Sequence, residues 1–115
     1  MNAAQQNYSI TLQDIENYLD SKADDEVVGI TCDGGRCLVA EAFRMKYPEI
    51  NDIIASQCVL AVYPPHATKW KHISIGLDVS DIITAFDHLF PDDEFPEGER
   101  AITKREWLER EVCAS

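Results

Sequence analysis

Long apolar runs are absent from this chain. None approaches the ~20 consecutive apolar residues that a membrane-spanning helix needs, and Met1 to Tyr8 has neither the basic start nor the apolar stretch of a secretory signal. The sequence therefore predicts a cytoplasmic protein with no membrane partner. Positive charge is equally scarce: 10 Lys and Arg stand against 21 Asp and Glu, a formal net charge of −11. A field of that sign repels the phosphates of duplex nucleic acid and of acidic lipid headgroups, so neither is expected as a partner.

Catalytic signatures are missing too. There is no Gly-x-Ser-x-Gly elbow, no His-Glu-x-x-His pair, no Lys-Ser/Thr after a glycine loop and no Gly-x-Gly-x-x-Gly fingerprint. The imidazoles are His66, His72 and His88, the last beside Asp87 and near no obvious nucleophile. The acidic run Asp92-Asp93-Glu94…Glu97…Glu99 lacks the alternating oxygen ligands and sixth-position glycine of an EF-hand. No catalytic residue, metal or cofactor is assigned from these residues.

What is present describes one ordinary globular domain over residues 1–115: 45% of the chain is hydrophobic and 27% charged, enough to bury a single core. Such a chain folds alone or as a small homo-oligomer. Residues 1–9 are expected to form a flexible tail and 92–99 an acidic loop. The four cysteines, Cys32, Cys37, Cys58 and Cys113, lie mostly in or beside apolar runs, where reduced cysteine behaves as a small core residue.

The acidity is regional. Asp14, Glu16, Asp20, Asp24, Asp25 and Glu26 crowd the first segment, and a second block runs from Asp78 and Asp81 to Glu99. Residues 27–77 between them are nearly neutral. Acidic faces keep a small protein soluble, and they also suit a basic protein partner.

Three times a polar cap is flanked by apolar residues one position before it and four after it: Ile10-Thr11…Ile15, Leu77-Asp78…Ile82 and Ile102-Thr103…Trp107. Each is a helix start with a hydrophobic staple, and Thr103-Lys104-Arg105-Glu106 adds a capping box. The first helix, about 11–22, carries the stripe Leu12, Ile15, Leu19. A second, from about Arg36 to Tyr47, is apolar on most sides and should be central, with Leu38, Ala42 and Met45 in the core. The third carries Ile82, Ile83, Phe86, Leu89 and Phe90 and ends at Pro91; the fourth carries Trp107, Leu108 and Val112.

Strands are expected at Val27–Thr31, Cys58–Tyr63 and Trp70–Leu77. The middle run is continuously apolar and should be covered on both faces, and the loop Pro64 to Lys69 makes its pairing with the third antiparallel. Glu49 to Ala55 is ambiguous between a short helix and a turn. The predicted class is α+β, a small sheet of about three strands with an antiparallel pair, packed against about four helices.

Two places invite a functional reading. In Val27-Val28-Gly29-Ile30-Thr31-Cys32-Asp33-Gly34-Gly35-Arg36-Cys37, a strand, a glycine turn and a helix follow in order. Gly34 and Gly35 could direct N–H groups at an anion with Arg36 as counter-charge, and Cys37 at a helix start would feel a dipole that lowers thiol pKa. The plainer reading is a tight turn with a packed cysteine. Cys32 and Cys37 would need Cys58, His66 or His72 to complete a metal site, and no recognised zinc spacing is present. The second place is the basic and aromatic cluster His66, Lys69, Trp70, Lys71 and His72, a combination that suits protein interfaces and single-stranded nucleic acid alike. Its plainer reading is a hairpin with Trp70 on the core edge.

The expectation that charge and missing chemistry favour is a non-enzymatic interaction protein docking a macromolecular partner: a regulator, inhibitor, antitoxin or immunity-type protein. The alternative is a small-ligand-binding or thiol-dependent enzyme centred on Cys32 to Cys37.

Overall fold

The computed structural model describes residues 8–31, 33–56, 59–87 and 100–114. Helix α2 (Leu38–Lys46) is its centre: Leu38, Val39, Ala40, Ala42 and Phe43 are all buried, as a helix apolar around most of its circumference must be. Around it pack α1 (Leu12–Asp20), β1 (Val27–Ile30), β2 (Asp52–Ala55) and α3 (Leu77–Asp87). The last turn of α2 emerges from the core, so Met45, expected inside, is 45% exposed. Its sulfur instead accepts a hydrogen bond from the Ser21 hydroxyl at 3.6 Å.

Two of the three predicted helix starts are present. Thr11 Oγ1 accepts from the Asp14 N–H at 3.2 Å, and the Asp14 carboxylate accepts from the Thr11 N–H at 2.9 Å, a reciprocal cap over buried Ile10 and Ile15. Thr103 and Glu106 repeat the arrangement at α4 (Lys104–Ala114), at 3.2 and 3.0 Å, over buried Ile102 and Trp107. The third start differs. The Gly76 carbonyl accepts from the Ser80 N–H at 3.0 Å, so α3 begins at Leu77 and Asp78 already lies within its first turn. Leu77 is 84% exposed and staples nothing.

The expected single sheet is two antiparallel sheets. β1 pairs with β5 (Ala101–Thr103), while β2, β3 (Val59–Tyr63) and β4 (Lys71–Ser74) form a meander. The antiparallel β3–β4 pair is as expected, with Leu60 opposite Ile73 and Ala61 opposite His72. β2 occupies the ambiguous segment and turns Ile53 and Ala55 inward. The class is α+β with four helices.

The meander is covered on one face only. Leu60 and Val62 are fully buried, but Val59, Ala61 and Tyr63 are half-buried and Ile54 opposite Ala61 is 48% exposed. An antiparallel sheet tolerates one open face, because its connections need not cross it. The predicted cover on both faces of Cys58–Tyr63 is therefore corrected.

The expected tail also shortens. Tyr8 is buried against the rings of Phe43 and Tyr47, with centroids 6.0 and 4.9 Å away, and the Ser9 carbonyl accepts from Lys46 Nζ at 2.9 Å. An aromatic side chain with an apolar shelf to bury against outweighs the freedom of a chain end. Residues 1–7 of the predicted tail, Cys32, Cys58, His88, the predicted helix residues Leu89 and Phe90, and the acidic loop 92–99 lie outside the described residues.

Candidate functional site

The glycine turn is internally bonded. Asp33 takes two of the turn's N–H groups: its carboxylate accepts from Gly35 at 3.0 Å, and its carbonyl accepts from Arg36 at 3.0 Å. The carbonyls are engaged as well, Gly34 by the Ala55 N–H at 2.7 Å and Gly35 by the Arg44 guanidinium. Arg44 also reaches Glu41 at 2.6 Å and Asp52 at 3.5 Å, so it ties the turn to α2 and β2. Arg36 remains exposed and lines a cleft of about 280 Å³ with Tyr18, Gly29 and Glu41. On that cleft Glu41 offsets Arg36, and the Asp33 carboxylate occupies the turn itself.

The glycines serve close packing. Neither Gly34 nor Gly35 takes a positive φ, but a Cβ on Gly34 would lie 2.9 Å from the Ala55 carbonyl oxygen. At Gly29 it would lie 2.7 Å from the Leu38 nitrogen and 3.0 Å from Phe86 Cζ. Absence of a side chain lets the turn and β1 press directly onto β2 and the start of α2.

Cys37 caps α2 and is buried. Burial pushes its thiol up to about 11, against the smaller lowering from the Ala40 and Val39 N–H groups at the helix start. The dipole expected to activate it loses to desolvation, and a protonated thiol is a poor nucleophile. Among the described residues no three His, Cys, Asp or Glu side chains gather closely enough to hold a metal.

The basic and aromatic cluster is divided by the pleat of β4. Trp70 meets Tyr63 edge to face, centroids 5.3 Å apart, and His72 stands beside Ala61 on the same open face. Lys71 points the other way, its Nζ 5.8 Å from the centre of the Tyr8 ring. Lys69 is exposed, and His66 sits at φ 64° in the turn closed by the Ala67 N–H on the Pro64 carbonyl at 3.3 Å. These five residues do not form one patch.

A different place combines apolar surface with free charge. Leu12, Ile15, Glu16 and Leu19 repeat along one face of α1, and Asp78, Asp81 and Ile82 along one face of α3. The two faces line a groove of about 400 Å³ that Trp107 of α4 helps to floor. Ile15, Leu19 and Trp107 are buried beneath it, and Leu12 is 40% exposed along it. Its charged residues are Glu16 on one wall and Asp78 and Asp81 on the other, with no cation among the described residues of the lining.

Ion pairs explain why that charge is free. Among the described residues, Arg44, Lys46 and Arg100 pair with Glu41, Asp52, Asp14 and Glu106. None of these pairs involves the three groove acids. Sequence reading missed the groove, although the stripe on the first helix with Glu16 set inside it was its signal. No family model, curated protein or solved structure matches this chain. No helix among the described residues is long and apolar enough to cross a membrane.

Proposed function

We propose that this chain is a non-enzymatic interaction module of the regulator, inhibitor, antitoxin or immunity type, which docks a basic protein through its acidic surface. One observation carries the reading: the three acids around the α1–α3 groove border exposed apolar surface and stand outside every ion pair among the described residues. Unpaired acids beside apolar surface give a partner both a long-range attraction and an area to bury. The thiol-centred alternative is opposed by the raised Cys37 and by the internal bonding of the turn.

The reading is tested by capture on the immobilised chain from an extract of its native host. A docked partner should be retained near 0.1 M salt and released towards 1 M, as the Debye length falls from ~10 to ~3 Å. Retention that is independent of salt, or no retained protein at any salt, contradicts it.

A further inference from the structure

We infer that the groove between α1 and α3 receives an amphipathic helix of the partner, its apolar stripe on Leu12 and Ile82 and its lysines or arginines against Glu16 on one wall and Asp78 and Asp81 on the other. The inference rests on the docking function proposed above and specifies the partner's form.

Backbone chemistry selects a helix. The walls are two helices whose central N–H and C=O groups are bonded internally, so they offer a guest only side chains. An extended segment laid between them would lose water from its own peptide groups and find no ladder to replace it, at a cost for every unpaired group. A helix brings its backbone already satisfied and needs only an apolar stripe. The lining of α1 from Leu12 to Leu19 covers about two turns, roughly 10 Å, which matches anchors spaced i, i+3 or i+4, and i+7 on a guest.

Charge selects the sign. Acids stand on both walls with no cation among the described lining residues, and the chain carries −11 overall, so cations flanking the stripe on both sides are favoured and an acidic helix is repelled. Seating such a helix covers Leu12 and brings its cations to acids that no described residue of the groove neutralises.

The probe is a fluorescein-labelled synthetic peptide of about 18 residues with leucines on one helical stripe and lysines flanking it, long enough to become helical when bound. Its control is an isomer of identical composition with the leucines scattered around the helix. Binding to the full chain is read by anisotropy at ~0.15 M salt. The striped peptide should bind at least roughly tenfold more tightly than the isomer, and Leu12→Ser should weaken it by roughly tenfold through lost apolar contact. Asp78→Asn with Asp81→Asn should weaken it severalfold at low salt, with the difference fading towards ~1 M.

All three positions are exposed, so folding is preserved, and unchanged melting verifies this. Equal affinity for the two peptides, or full affinity in Leu12→Ser, overturns the helix-in-groove inference and leaves charge-driven docking standing. No binding of either peptide also overturns it. The docking function fails separately, on the salt series in host extract.

Discussion

The glycine turn at residues 33–36 and the groove between α1 and α3 contrast in where their polar groups are directed. The turn has the outward marks of a ligand site, with two glycines, an arginine and a cysteine at a helix start. Its Gly35 and Arg36 N–H groups are held by Asp33 and its glycine carbonyls by Ala55 and Arg44. The groove carries no motif, yet Glu16, Asp78 and Asp81 face solvent with their charge unpaired among the described residues. A site is recognised by charge left without an ion-pair partner, more than by residue types that could bind something.

If the turn is structural, its glycines should fail in the order of their clearance. Gly29→Ala should be the most damaging, by about 3 kcal/mol, because backbone atoms at 2.7 and 2.9 Å cannot rotate away. Gly34→Ala, against the Ala55 carbonyl at 2.9 Å, should cost about 1–3 kcal/mol. Gly35→Ala, with its nearest neighbour at 3.4 Å, should stay within about 1 kcal/mol. Urea unfolding of the three variants checks the order, and a tolerated Gly29→Ala would break it.

Asp14 is the acid that does resemble the turn, since its carboxylate Oδ2 accepts from the Thr11 N–H and from Lys46 Nζ. Burial alone would raise it, but Lys46 and the Thr11 cap outweigh that and hold it below the usual range. A carboxyl lowered on folding stabilises above its unfolded pKa, near pH 4, and that contribution disappears as pH falls through the lowered folded value. Asp14→Asn should therefore cost about 1 kcal/mol at neutral pH and progressively less in acid, as melting between pH 7 and 2 would show. A constant difference across that range would remove Asp14 from the acid response.

The smallest expected effect is at Arg36. With the Gly35 and Arg36 N–H groups taken, phosphate or sulfate compared with chloride at matched ionic strength should shift melting equally in wild type and Arg36→Ala. An Arg36-dependent shift would restore the turn as a ligand site.

Much of the fold was legible because it rests on local pattern. The caps at Thr11 and Thr103 lie within four residues of their partners, and α2 shows its central place through its own apolar circumference. β5 was hidden because Ala101-Ile102-Thr103 reads as the approach to a helix, and only a distant β1 makes it a strand. β2 was hidden because exposed Ile54 blurs the alternation of Asp52–Ala55. The turn misled because glycines reveal which N–H groups can be displayed but not that Asp33 occupies them. The groove was illegible for the opposite reason, since sequence gives the number of acids but not which ones the few cations leave unpaired, and α1 meets α3 only in three dimensions.

The most direct test is an amide correlation spectrum of the isotopically labelled chain titrated with the striped lysine–leucine peptide. Shifts concentrated at residues 12–19 and 78–82, with 33–36 unmoved, are the predicted result. Shifts centred on 33–36, or spread evenly over all acidic surface, would contradict the assignment of docking to the groove.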